Sequence, residues 1–329
     1  MRQTAFEERH EDEWQRFESW LERNERLRRR RNEVPPMGAL PDRDVPGAYR
    51  HLCQHLALAR DRQYSPQLVD RLNGLVLRGH HLLYGARAAS ARGALGFLLG
   101  GFPRLVREEW RIVAAGMLLF FLPLALLYFA VHWQPDFVHR LFEPRALAQL
   151  QEMYSPSNTR IGAREADDNV AMFGFYIWNN VKIGFQTFAT GLAFGLGSVF
   201  YLVSNGVYIG AIAGYLTDIG YGTQFWPFVV GHSALELTAI GISGGAGLRL
   251  GAALVAPGAR SRKAALVVAA QPAIRLVYGA ALMFLGAAFI EAFWSPLTSF
   301  PPASKYAAGL ALWCLVIAYF VFGGRGRAA

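Results

Sequence analysis

The chain has 329 residues, 53% of them hydrophobic, and a formal net charge of +9. Residues 1 to about 110 are polar and Arg-rich, whereas the rest is dominated by apolar runs, several reaching the roughly 20 residues that match a ~30 Å hydrocarbon core. A purely soluble globular class is therefore excluded, and two lone cysteines, Cys53 and Cys314, exclude a disulfide framework and a cysteine metal set.

The first thirty residues carry Glu and Arg throughout with no apolar h-region, so no signal peptide is expected and insertion should start from an internal helix. Residues 5–33 read as an exposed helix. Glu22 with Arg26 and Glu25 with Arg29 are spaced for i,i+4 pairs, and Phe17, Trp20 and Leu21 form a short apolar stripe. The run Arg28 to Arg31 reads as a solvated helix end, too short to be specific for anionic lipid or nucleic acid. No recognisable RNA-binding pattern accompanies it, so no nucleic-acid partner is expected.

Val34-Pro35-Pro36-Met37-Gly38 should break the helix as a linker. Pro46 and Pro66 suit first helical turns, with Ser65 as an N-cap. Leu52, Leu56, Leu68, Leu72, Leu75 and Leu82 recur at helical spacing, which predicts a small antiparallel bundle for residues 1–100. His51, His55, His80 and His81 lie on Arg-rich faces with no third ligand beside any pair, and read as surface residues. The segment 101–111, with Phe102, Trp110 and several arginines, suits an interfacial elbow helix on the membrane.

A transmembrane domain over 112–325 follows, with expected spans near 112–132, 188–204, 206–221, 225–247, 265–290 and 306–322. Residues 1–111 hold twenty arginines, the loop 133–169 holds four basic against six acidic residues, and Arg249, Arg260, Arg262 and Lys263 cluster further on. By the positive-inside rule both termini face the cytoplasm, which requires an even number of spans. Asn205-Gly206 is read as a tight turn between two of them. Region 170–187, interrupted by Asn179, Asn180 and Lys182, reads as an outer-face interfacial helix, with a re-entrant segment as the alternative, and Trp178 and Lys182 serve as headgroup anchors.

Gly191 with Gly195, then Gly206, Gly210 and Gly214, then Gly241 with Gly245, repeat at a spacing of four. Small residues on one face let backbones approach closely, a main source of association when lipid replaces water. A compact core follows, with contacts between copies on any glycine face left free.

Glu236 and Arg275 stand in consecutive apolar runs, where a charge costs a few kcal/mol or more and persists when paired or working. His232 is four residues before Glu236, on the same helical face. Three readings compete: a two-ligand metal start, a proton relay, or a structural network closed by Arg275. The metalloprotease pattern HExxH is absent because Ser233 follows His232, so neither a metal nor another cofactor is expected. Pro227 is placed in a first turn, Pro272 would kink its helix, and Glu291 reads as a solvated residue at the outer face. No nucleophile elbow, kinase signature or phosphate loop occurs, so no catalytic residue is assigned.

The segment GHSALELTAIGISGGAGLRLG at 231–251 resembles the hallmark of the stage II sporulation protein M family. Asn179-Asn180, Gly191 to Gly195, Val203-Ser204-Asn205-Gly206 with Gly210, and Glu291-Ala292-Phe293 before Pro296 extend the likeness over about 100–325. The family's usual proline before Gly-His is Val230 here. The Arg-rich N-terminal part with FPRLVREEW is similar to the longer, non-sporulation branch. The resemblance implies an integral component of envelope assemblies; the sporulation member acts with a peptidoglycan-degrading partner, and longer relatives are associated with AAA-type ATPases.

Together these readings predict an all-α, six-span protein of a bacterial inner membrane with a cytoplasmic helical domain. It would be a non-enzymatic scaffold in a cell-envelope or peptidoglycan-remodelling complex. Its expected partners are lipid, further copies of itself, and a cell-wall enzyme or AAA-type ATPase. The alternatives are a transporter or channel using His232, Glu236 and Arg275 at the midplane, and an intramembrane enzyme.

Overall fold

The computed structural model describes residues 3–29, 41, 44–83, 91–155 and 166–326, and among them every regular element is helical. The Val34–Gly38 linker, Arg30 and Arg31, and the side chains of Arg26, Arg28 and Arg29 lie outside the described residues. The chain divides into two compact units, Met1–Ser90 and Ala91–Ala329.

The first unit packs α1 (Gln3–Arg29), α2 (Val45–Asp61) and α3 (Pro66–Leu83) around one core. The first helix is not simply exposed: Phe6, Trp14, Phe17, Trp20 and Leu21 are buried against Val45, Leu52, Leu56, Leu68, Leu72 and Leu75. Ser65 caps α3, its hydroxyl accepting from the Leu68 amide at 3.4 Å, and Gln3 holds Ser65 through both its amide nitrogen and its oxygen. Arg71 grips Glu11 with two hydrogen bonds of 2.9 and 2.8 Å, and Arg78 grips Glu25 at 3.0 and 3.1 Å. These bidentate forks tie α3 to α1 and fix their register.

His55 corrects the reading of the histidines as surface groups. It is buried, its Nδ1 accepts from the Trp14 indole at 3.1 Å, and its ring lies 4.0 Å from that of His10. Burial pulls both imidazoles below their ordinary value, with Glu13 opposing the shift at each.

The second unit opens with α4 (Ala91–Gly96), a π-helical turn (Phe97–Gly101) and α5 (Phe102–Glu108). The domain boundary therefore falls at Ser90 rather than at 100, and the elbow is not simply laid on lipid. Phe102, Leu105 and Val106 are buried in the main core, where Phe102 occupies the space left by Gly279. Arg107 donates to the carbonyls of Phe320 and Gly323 at 2.6 and 2.7 Å.

Then come α6 (Trp110–Trp133), the short α7 (Val138–Leu141) and α8 (Pro144–Tyr154), α9 (Ala166–Ala189), α10 (Leu196–Asp218), α11 (Gly222–Val255), α12 (Arg262–Phe293) and α13 (Pro302–Phe322). Five of these, α6, α10, α11, α12 and α13, are long and apolar enough to cross a membrane. Trp110 and Trp133, both exposed, stand at the two ends of α6, about 35 Å apart along its axis, as interfacial aromatics should.

Glycine contacts give the directions. Gly206, Gly210 and Gly214 meet the carbonyls of Phe120, Leu124 and Tyr128 in turn, so α10 runs parallel to α6. Gly245 meets Ile112 and Val113 while Gly241 meets Met117, so α11 runs antiparallel to it. Gly231 faces Trp294 and Ile290 while Gly286 faces Leu235, so α12 returns along α11. Gly309 meets Val230, and Trp313 donates to Ser233 Oγ at 3.2 Å, so α13 descends beside α11.

Two expected spans are overturned. The stretches 188–204 and 206–221 are not separate crossings, because α10 runs unbroken through Asn205-Gly206. Asn205 donates to the Tyr201 carbonyl at 2.7 Å within the helix, and Gly206 is there for backbone approach, not for a turn. The break comes earlier, in a 3₁₀ turn at Thr190–Leu192 followed by Phe194 (φ 54°) and Gly195 (φ 84°). The interfacial and re-entrant readings of 170–187 fail as well. Helix α9 is continuous, and Phe173 packs on Phe289 and Phe293, Gly184 on Phe284, and Gly191 on Gly247. It runs down the bundle beside α12 and α11 instead of lying across the end.

Candidate functional site

His232 and Glu236 sit one turn apart on α11, their Nε2 and Oε2 atoms 3.7 Å from each other. The third member of the cluster is Glu291, near the end of α12, brought in by the antiparallel packing that sets Gly231 beside Ile290. One ligand atom from each of His232, Glu236 and Glu291 lies within 4.8 Å of the other two. Glu291 is thus part of the site and not a residue explained by ordinary solvation. Its partners are 55 and 59 positions away, so only the packed helix pair could reveal it.

Arg275 does not close this network. Gly286 marks the level of Leu235, so Arg275, eleven residues further down α12, lies about 16 Å away along the axis. It is exposed, with its guanidinium 5.6 Å from the centre of the Phe97 ring. The physical reason is length: 32 residues make a helix of roughly 48 Å, so a charge midway through its apolar run need not meet one midway through the neighbour's.

The surroundings are polar, and every contact is made near one end of the bundle. His232 is buried, and its Nδ1 is 3.2 Å from Ser295 Oγ. Ser295 is buried too, and its carbonyl accepts from Lys305 Nζ at 2.7 Å. Lys305 lies over the Trp294 ring at 5.9 Å. No spacing in the sequence marks Ser295 or Lys305; Ser-Pro at 295–296 and a lysine opening an apolar run are the signals it carries. Tyr154 of α8 packs on Phe225 and Phe228 of α11, at 5.3 and 6.3 Å between rings. Burial pushes its phenol well above the ordinary value, Glu291 adds to that, and Tyr176 and Glu236 contribute less.

Chemically, two carboxylates and one imidazole in a protein-lined site can share a proton or hold a cation. The other predicted residues are elsewhere. Asn179 and Lys182 are exposed on α9, so Lys182 and Trp178 stand on the flank of the bundle and not at its rim. Asn180 faces inward and is buried. Gly191, Gly206, Gly210, Gly214, Gly241 and Gly245 are each packed against a neighbouring helix, and Gly195 supplies the left-handed turn before α10 while lying close to Gly251.

A bundle of long apolar helices with one His–Glu–Glu cluster defines a polytopic helical membrane protein. The model of the family described as stage II sporulation protein M matches residues 116–296, more than half of the chain, and the chain belongs to that family. A second family model, described as a domain of unknown function (DUF8413), matches residues 4–85. No curated protein and no solved structure matches the chain.

Proposed function

We propose that this protein is a non-enzymatic membrane scaffold that assembles laterally with another protein of the cell envelope. The observation that carries the reading is the outer face of α9. Asn179 and Lys182 are exposed there, on the side of the helix turned away from Gly184, which packs on Phe284 some 13 Å inside the end of α12. Asn179 already donates to Asn180 Oδ1 at 3.3 Å, but lipid gives the Lys182 ammonium no partner, and an ammonium at depth costs several kcal/mol. A second polypeptide covering this face removes that cost. The inward faces are already occupied, because the glycine rows are spent on contacts within the chain.

The partner is another copy, a cell-wall enzyme or an AAA-type ATPase, and the site of action is a bacterial inner membrane with both termini cytoplasmic. The clustering of Arg107, Arg249, Arg262 and Lys263 at one end of the helices supports that orientation. A photo-crosslinking residue at position 179 should form adducts with polypeptide in intact membranes, while one at Leu310, an exposed apolar position on α13, should not. Absence of polypeptide adducts at both positions contradicts the proposal.

The cluster at His232 favours one second reading, conduction of protons or cations along a polar path. Liposome flux that Glu236→Gln abolishes supports conduction; tight liposomes support the scaffold.

A further inference from the structure

We propose that His232, Glu236 and Glu291 form a binding site for one divalent transition-metal ion of the zinc class. This goes beyond the scaffold reading and does not depend on it. The donors come from two helices packed on each other, with the ligand atoms within 4.8 Å of one another and His232 Nε2 3.7 Å from Glu236 Oε2. Tetrahedral coordination with bonds of about 2.1 Å needs ligand spacings of about 3.4 Å. Glutamate side chains have three rotatable bonds each, and adjustment at Glu236 and Glu291 is the movement the site requires.

A second observation points to a ligand. The His232 ring is only 5% exposed, and its Nδ1 is occupied by Ser295 Oγ at 3.2 Å. Its Nε2 is aimed at Glu236 from beyond hydrogen-bond distance, and Glu236 makes no hydrogen bond among the described residues. An imidazole nitrogen and a carboxylate oxygen held 3.7 Å apart with no hydrogen bond between them are spaced to share one ion. With the Nδ1 proton donated to Ser295 Oγ, Nε2 presents its lone pair to the space shared with both carboxylates. That outer hydrogen bond is the usual means of orienting a metal-bound histidine. Ser295 is itself fixed, since Lys305 donates to its carbonyl at 2.7 Å.

Charge makes the same case. Two carboxylates, a neutral imidazole and a divalent ion sum to zero, the net charge least costly within a bilayer. One nitrogen with two oxygens suits zinc, manganese, iron(II) or cobalt better than calcium or magnesium, which take oxygen alone. The N-terminal trio of His10, Glu13 and His55 is similarly close, but there Trp14 donates to His55 Nδ1. A neutral His55 then carries its proton on Nε2 and offers no lone pair.

The test uses the full chain, purified in detergent, stripped with chelator and dialysed against zinc. One zinc per chain is expected, and X-ray absorption should show only nitrogen or oxygen neighbours at about 2.1 Å, with the outer-shell scattering of a single imidazole. Glu236→Gln and Glu291→Gln should weaken binding by about a hundredfold or more, and Ser295→Ala by about tenfold, as for an outer-shell partner. His10→Ala should leave binding unchanged. The proposal is overturned if the stripped wild type takes up no zinc, if His10→Ala loses it, or if the absorption spectrum shows sulfur, no imidazole or more than one imidazole. The wild-type spectrum decides the matter even where a variant fails to fold.

Discussion

Substituting Gly247 by alanine tests whether backbone proximity holds the bundle together. A methyl group there would lie 2.8 Å from the carbonyl oxygens of both Thr187 and Phe188 and would collide with the Ser198 hydroxyl. That hydroxyl donates to the Thr187 carbonyl at 2.6 Å in a buried position, so the intruding carbon also displaces a hydrogen bond. Overpacking against backbone costs about 1–3 kcal/mol. A buried polar group left unsatisfied adds about 1–3 kcal/mol. The combined loss is about 2–6 kcal/mol, and at roughly 2–4 °C per kcal/mol the melting midpoint should fall by about 4–24 °C. The matched control is Gly96→Ala at the end of α4, where an added methyl meets nothing within 4 Å. It should be neutral, or raise stability by up to about 1 kcal/mol through helix propensity. Thermal unfolding of the two variants in one detergent is the assay. Equal shifts for both, or no loss at Gly247, would refute the reasoning.

Arg275→Gln should lower stability by about 1 kcal/mol or less, the size of an exposed cation–π contact; a loss of several kcal/mol would mean that Arg275 does compensate Glu236. Arg107→Gln removes two charged hydrogen bonds to the end of α13, worth about 1.5–3 kcal/mol each, and hydrogen exchange should rise at residues 320–324. Arg107→Lys should not restore protection, since an ammonium lacks the fork. The first unit should weaken in acid: burial depresses His10 and His55 in the folded state, so the unfolded chain takes up more protons once pH falls through about 6.5. Its stability is therefore complete above that value and declines below it. Exchange protection of α1–α3 in the intact protein, compared at pH 7 and 5.5 after correction for intrinsic rates, should fall, and His55→Phe should flatten the dependence. Unchanged protection contradicts it.

The helices were legible where composition and length decide them. The runs behind α6, α11, α12 and α13 are too long and apolar to be anything else, and the glycine rows announced close packing. Asn205-Gly206 misled because the same dipeptide serves a tight turn or a backbone contact, and only the neighbouring α6 distinguishes them. Helix α9 was obscured by Asn179, Asn180 and Lys182, which lower its apolar character although Asn180 turns inward. At the site, His232 and Glu236 were legible because four residues make one helical turn. Glu291, Ser295 and Lys305 come from a different helix pair and the turn between them, and local spacing carries no information about them. Arg275 was drawn in by residue type alone, with no measure of its depth.

The most direct measurement of the central claim is the mass of the protein in gently solubilised membranes, for wild type and Lys182→Leu in parallel. The account predicts a wild-type assembly heavier than the 36.4 kDa chain, with a second copy or an envelope protein in fixed ratio. Lys182→Leu should release the single chain. A wild type that runs as a single chain from membranes, or an assembly indifferent to Lys182→Leu, would contradict the scaffold and its α9 face.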